Sequence, residues 1–256
     1  MLKSYQQLCT EFYDLTKPRA CEGEVNFYAN LIDNADGPIL EAMCGSGRLL
    51  IPLLEKGYQI EGVDLSSSML QQCAKRCRQA HLPVQLYHQS MQSLSLPHPY
   101  ALIYIPVGSF QLFPDRLEAL HILQILYRHL IPGGLLILDI SVPWDSLHAC
   151  IEGDQLVDSP KPVVLERRIN DAEGHLYHLH SHLTIYPKEQ LEVYFNRYEK
   201  WKGDQLLATE EEELFIRWYY RYEMELLLEK AGFSSIKLSE VSFSHSPQAQ
   251  LYQAKK

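Results

Sequence analysis

No stretch of this 256-residue chain approaches the roughly 18 uninterrupted apolar residues that a membrane-spanning helix needs. The opening residues, Met1-Leu2-Lys3-Ser4-Tyr5-Gln6-Gln7, lack the apolar core of a signal peptide, so secretion is not expected. Basic residues are scarce: 23 Lys and Arg against 32 Asp and Glu leave a formal charge of −9. An acidic chain repels phosphate backbones, which argues against broad nucleic-acid binding. Cysteines at metal-site spacing are missing as well. The six (Cys9, Cys21, Cys44, Cys73, Cys77, Cys150) include no CxxC pair. Cys73 and Cys77 share a helix face, but no second Cys or His pair follows them, and no metal is expected on this ground. They read as free buried thiols in a reducing cytoplasm. What remains is ordinary globular composition, 46% apolar and 21% charged, long enough for one large domain with an insertion.

From Gly37 to about Ile140, short apolar runs alternate with helical periodicity. Pro38 to Ala42 predicts a buried strand, Gly45-Ser46-Gly47 a tight turn, and Arg48 to Lys56 a helix stopped by Gly57. A strand over 59–64 leads to Ser66, a good N-cap, and to a helix carrying Met69, Leu70, Cys73 and Cys77. Strands over 84–87 and 100–105, a helix over 116–130 and a strand from Leu135 after Pro132-Gly133-Gly134 complete the pattern. Such alternation implies a doubly wound α/β fold with a mostly parallel sheet. Residues 163–218 instead read as four antiparallel strands (163–169, 175–186, 191–200, 205–218) separated by turn residues. Within them Glu210 to Glu213 reads as a solvated strand end or turn. A helix over 222–231 with Gly232 at its C-cap, then short strands near Ile236 and Ala249, resume the first pattern.

A strand, a glycine turn and a helix start suit a nucleotide-like ligand, because glycines admit close backbone approach at the strands' carboxyl edge. Glu41 ends the first strand, and Asp64 ends the second, nineteen residues beyond Gly45, where an acid can take ribose hydroxyls. A dinucleotide site would need GxGxxG, and its last glycine falls on Leu50 here. An NAD-dependent oxidoreductase is therefore the weaker alternative.

These segments resemble class I S-adenosylmethionine-dependent methyltransferases. Ile39 to Gly47 is similar to that family's first motif, and Gly62 to Leu70 to its ribose-binding segment. Further matches are Ile105 to Phe110, Leu130 to Gly134, and Tyr220 to Phe233 after an inserted sheet. The likeness is greatest to the small-molecule branch of amino-sugar and glycine N-methyltransferase-like enzymes. It implies a Rossmann-like, mostly parallel seven-stranded sheet. The core would span 37–144 and 219–256, with a helical lid over 1–36 and an antiparallel sheet over 145–218 above the acceptor site. Met43 stands where the family usually has glycine, and Ser90 where it often has an acid.

The resemblance also implies roles. Glu41, Ala42, Gly45 and Gly47 would line the methionine moiety of S-adenosylmethionine. Asp64 would hold the ribose, Leu65 and Met69 the adenine face, Ser90 and Met91 the adenine edge, while Ile105 closes the pocket. Tyr13, with Asp14, and Arg19 would belong to the covering segment. The implied activity is methyl transfer to nitrogen or oxygen of a small molecule, releasing S-adenosyl-L-homocysteine, by a cytoplasmic monomer or homodimer. Alignment alone can supply much of the rate, so the sequence names no catalytic residue; Tyr13, His178, His180 and Tyr220 are candidates. His178, His180 and His182 share one strand face and read as a metal cluster, a substrate-facing base or a solvated surface. Tyr219 to Tyr222 reads as acceptor lining or as core. A methylase of nucleic acid or protein amides would carry a gripping side chain where Ile105-Pro106-Val107-Gly108 stands. A non-catalytic cofactor-binding module is the alternative from outside enzymology.

Overall fold

Strands that are apolar on both faces need cover on both sides. The computed structural model describes residues 5–148, 150–152, 155–156, 159–243 and 246–256. Helices α1 (Gln7–Thr16) and α2 (Glu22–Ile32) lead into β1 (Ile39–Ala42), α3 (Leu50–Glu55), β2 (Glu61–Asp64), α4 (Ser67–Gln79) and β3 (Leu86–His88). Then come β4 (Tyr100–Ile105), α5 (Arg116–His129), β5 (Leu130–Ile140), α6 (Trp144–His148) and the two-residue strands β6 (Ile151–Glu152) and β7 (Gln155–Leu156). The long strands β8 (Ser159–Asn170), β9 (Leu176–Tyr186), β10 (Leu191–Lys202) and β11 (Gln205–Arg217) follow. The chain closes with α7 (Arg221–Ala231), β12 (Ser234–Phe243) and β13 (Ser246–Lys255). No helix among the described residues is long and apolar enough to cross a membrane.

Two compact units emerge. Residues 19–142 and 219–256 build a seven-stranded sheet in the order β12-β13-β5-β4-β1-β2-β3, with β13 antiparallel to both neighbours. Alternate residues feed two cores. Leu40, Ala42, Ile103 and Ile105 pack with Ala119, Ile122 and Leu123 of α5 and Met224 and Leu228 of α7. Ile39, Leu102, Tyr104 and Ile137 join Tyr28 of α2, Leu50 and Leu53 of α3, and Cys73 of α4. Because β2, β1, β4 and β5 are mutually parallel, their carboxyl ends share one edge.

Three local expectations change. The helix expected from Arg48 begins at Leu50, since the left-handed Gly47 (φ +84°) keeps the preceding residues in a turn. The fifth strand begins at Leu130, and Pro132-Gly133-Gly134 lies inside it as a bulge, pinned by Gly133 N–H to Lys256 O (3.1 Å) and Lys256 N–H to Gly134 O (2.9 Å). The two final strands are ten residues each, because they pair with one another as a hairpin.

The second unit joins residues 5–18 to Pro143–Trp218. Its sheet runs β11-β10-β9-β8, all antiparallel. Leu8, Cys9 and Phe12 of α1 pack on Tyr177 of β9 and Tyr198 of β10. The segment expected as a lid is thus two helices, α1 in this unit and α2 in the other. The acidic run lies within β11, and of it only the alternate residues Glu211 and Glu213 are exposed. Glu210 Oε2 accepts from Leu8 N–H (2.7 Å) and Glu210 Oε1 from Cys9 N–H (3.1 Å), while Glu212 Oε2 accepts from Tyr5 N–H (3.0 Å). Alternation explains the difference: Glu210 and Glu212 face α1, Glu210 occupying open amides of its first turn where Gln6 makes no side-chain cap, and Glu212 the Tyr5 amide ahead of it.

Candidate functional site

The site is built from strand ends. β1 delivers Glu41 and then a turn of three left-handed residues: Met43 (φ +59°), Gly45 (φ +54°) and Gly47 (φ +84°). At Gly47 no larger residue fits, since a Cβ would lie 2.8 Å from Cys73 Sγ and 2.9 Å from the Ile51 side chain. Met43 adopts the glycine conformation without being glycine, at a cost of about 1–2 kcal/mol. One neighbour fixes the turn: Asp64 Oδ2 accepts from Gly45 N–H (2.8 Å) and Asp64 Oδ1 from Ser66 N–H (2.8 Å). Burial pushes the Asp64 carboxyl above its ordinary value, opposed by backbone N–H groups of Ser66, Gly45 and Leu65. These three backbone donors leave the carboxylate one lone pair open. Leu65 beside it is half exposed, and Met69 is buried one turn into α4, where Ser66 Oγ accepts its N–H (3.1 Å).

Behind the turn lies a buried polar centre that spacing did not reveal. Arg48 and Glu24 form a bidentate ion pair with both side chains almost wholly buried, one of its bonds 2.8 Å long. Glu41 accepts from Tyr104 OH (2.7 Å); desolvation pushes its carboxyl up to about 8 although Tyr104 and Arg48 pull it down. Asp139, near the end of β5, is buried and pushed up to about 7 by desolvation. It accepts from Gly108 N–H (2.9 Å) and from Val107 N–H. That grip holds two consecutive left-handed residues after β4, Val107 (φ +61°) and Gly108 (φ +65°). A β-branched residue there stores about 1–3 kcal/mol, which concentrates strain at the end of β4. Gln111 braces the same loop, exchanging bonds with the Ser141 backbone at 2.8 and 2.9 Å. Two buried hydroxyls, Tyr28 OH and Ser46 Oγ, have no hydrogen-bond partner among the described residues.

Of the expected site residues, Glu41, Ala42, Gly45, Gly47, Asp64 and Leu65 fall on this strand edge and its turns, and Met69 lies in the first turn of α4. Ile105 ends β4, wholly buried. Ser90 caps the short 3-10 turn Met91–Ser93, accepting from Gln92 N–H (3.2 Å) and donating to the Gln92 side chain, so its hydroxyl is already engaged; Met91 is buried. Arg19 is drawn elsewhere, to an exposed ion pair with Glu55 at the far end of α3. Tyr13 lies on α1 in the other unit, its ring 5.6 Å from Lys17 Nζ. Tyr219 is core, its OH donating to Phe113 O (3.1 Å), whereas Tyr220 is exposed at the start of α7. His178 and His180 share a face of β9 with centroids 3.7 Å apart. Burial and the neighbouring His180 and Arg168 hold His178 below its ordinary value. All six cysteines are free, five of them buried.

Asp139, Glu24 and Arg48 escaped the sequence reading. One signal was present: Glu41, Asp64 and Asp139 each place an acid near the carboxyl end of a strand of the parallel sheet.

Residues 39–134 match the methyltransferase-domain family. YqeM of Bacillus subtilis (strain 168), provisionally assigned as a methyltransferase, is 27% identical over 105 residues, covering 41% of this chain and 42% of that protein. The match thus spans about two fifths of the relative's length. An S-adenosylmethionine-dependent methyltransferase from Clostridium acetobutylicum superposes with a TM-score of 0.70 at 18% identity, over 96% of each chain. The chain has the class I methyltransferase fold. CalS10, an amino pentose methyltransferase from Micromonospora echinaspora solved with S-adenosylmethionine bound, shares this methyltransferase fold with a TM-score of 0.64 at 18% identity, over 91% of this chain and 90% of its own. Within the fold, the turn 43–47 and Asp64 lie inside the family-matched segment, whereas Asp139 and the antiparallel unit lie beyond it.

Proposed function

We propose that the chain is an S-adenosylmethionine-dependent methyltransferase acting on nitrogen or oxygen of a small molecule. The observation that carries this reading is the clamp of Asp64 on the Gly45 amide, inside the segment matching the methyltransferase-domain family. The residues fit the cofactor. Asp64 retains a lone pair for a ribose hydroxyl, half-exposed Leu65 offers an apolar face for adenine, and Gly45 leaves the backbone uncovered. Glu41 and the unpartnered hydroxyls of Tyr28 and Ser46 supply polar groups suited to an amino-acid moiety. When bound, the cofactor supplies a methyl group on a sulfonium, an electrophile that alignment activates without a strong acid or base. The protein's part is then to bind, orient and keep water away. Asp139 contributes by fixing the Val107-Gly108 loop at the end of β4, next to the β1 edge. A nicotinamide cofactor fits poorly, because wholly buried Leu50 fills the place of the third glycine.

Similarity to an amino pentose methyltransferase supports a small, amine-bearing acceptor. The chain leaves the parallel sheet after Ile140, at the edge that carries Asp64, so the reading assigns acceptor choice to the inserted 145–218 segment. Six free thiols suit a reducing compartment, in keeping with a cytoplasmic enzyme. A screen of amino sugars and small amines, scored by S-adenosylhomocysteine release, tests the activity. Catalytic turnover of an acceptor is the expected result. Cofactor binding without turnover across acceptor classes would replace the enzyme with a binding module.

A further inference from the structure

β9 sets His178 and His180 on the face turned away from α1, and the register brings Glu166 of β8 opposite His180 and Arg168 opposite His178. On the other side, Glu199 of β10 lies opposite His178 and Arg197 opposite His180. Two histidines on one strand cannot by themselves enclose an ion. Glu166, a third donor from the neighbouring strand, changes that. Its carboxylate lies 3.6 Å from His178 Nε2 and 3.4 Å from His180 Nδ1, and three donor atoms of the cluster lie within 4.8 Å of one another. In a tetrahedral zinc shell with metal–nitrogen bonds of about 2.0–2.1 Å, donors are about 3.4 Å apart. Glu166 thus reaches each imidazole at close to that spacing, through Oε2 to His178 and Oε1 to His180, and the three donors, within 4.8 Å of one another, must draw together around one ion.

We propose that Glu166, His178 and His180 form a site for a borderline divalent transition metal, with zinc the natural occupant of an N2O donor set. The surroundings support it. The Nε2 of His180 faces the Glu199 carboxylate at 3.9 Å, the outer partner that orients a metal-binding imidazole. Glu199 is itself fixed by Arg197 Nε and Trp201 Nε1, both at 3.0 Å. His178 is buried and presents Nε2 toward Glu166. One group opposes the ion: Arg168 Nε donates to His178 Nε2 at 3.2 Å, using the lone pair the metal requires. Metal binding must displace it, so Arg168 tunes the affinity. The Asp171, Glu173 and His175 group is a different case, since Asp171 Oδ1 is occupied by the turn amides of Glu173 and His175, both at 2.9 Å.

Chelator-treated full-length protein, titrated with Zn(II) by calorimetry and with Co(II) by visible absorption, tests the site. One saturable site is expected. Glu166→Gln and His180→Ala should each weaken it by about tenfold or more, and His175→Ala should leave it unchanged. Arg168→Gln should strengthen binding several-fold, a gain that no unfolded variant would give. Absence of saturable binding in the wild type, or binding indifferent to both Glu166→Gln and His180→Ala, would overturn the proposal. The outcome does not depend on methyl transfer.

Discussion

Arg48 follows the glycine turn and is held by Glu24 in a pair whose side chains are 4% and 3% exposed. Removing one partner of such a pair strands a charge in a low-dielectric interior, which costs about 3–5 kcal/mol. Arg48→Met should therefore lower unfolding stability by that amount in urea melts. A loss below about 1 kcal/mol would place the pair in effective contact with water. Neither partner was legible as a pair, because nothing local in the sequence links a residue of α2 to one after β1. Asp64 was legible, since a strand-end acid at that distance from a glycine turn has a physical purpose visible without the fold. Met43 was noted as a departure, and the structure gives its consequence: a side chain carried in the left-handed region.

At the level of elements, α1 depends on an acid from another part of the chain. Gln6 makes no side-chain cap, and the first turn contains no acidic residue. Glu210 occupies the Leu8 and Cys9 amides instead. Glu210→Ala should destabilise α1 by about 1–2 kcal/mol, seen as faster hydrogen exchange at Leu8 and Cys9. Exchange unchanged from wild type would contradict that anchoring role. The strands of this unit could be read closely from the sequence, because alternation and turn residues such as Gly174 and Gly203 are local signals. The job of the acidic run could not, because helix capping here is a pairing between the two ends of the segment. The Pro132-Gly133-Gly134 bulge was missed for a similar reason: Lys256, the last residue, holds it within β5.

Over the whole molecule, buried acids should leave a signature in pH. Glu41 has its carboxyl raised from 4.5 to about 8 in the folded protein, so between those values the native state keeps a proton that the unfolded chain releases. Its contribution is thus fully present below about 4.5 and is lost as pH rises through about 8. Glu41→Gln should gain stability relative to wild type as pH rises from 5 to 8. A difference that stays flat over that range would contradict the raised carboxyl. The parallel sheet and its glycine turn were readable from alternation and spacing, while the strand order and the loop grip of Asp139 needed the pairing of strands far apart in the chain. Asp64 and the glycine turn are proposed to bind S-adenosylmethionine. Calorimetric titration of wild type and Asp64→Ala with S-adenosylhomocysteine and with NAD tests this most directly. S-adenosylhomocysteine binding without NAD binding is expected, with a loss of about 1–3 kcal/mol in a folded Asp64→Ala variant. Unchanged affinity in that variant, or NAD bound more tightly than the sulfur ligand, would contradict it.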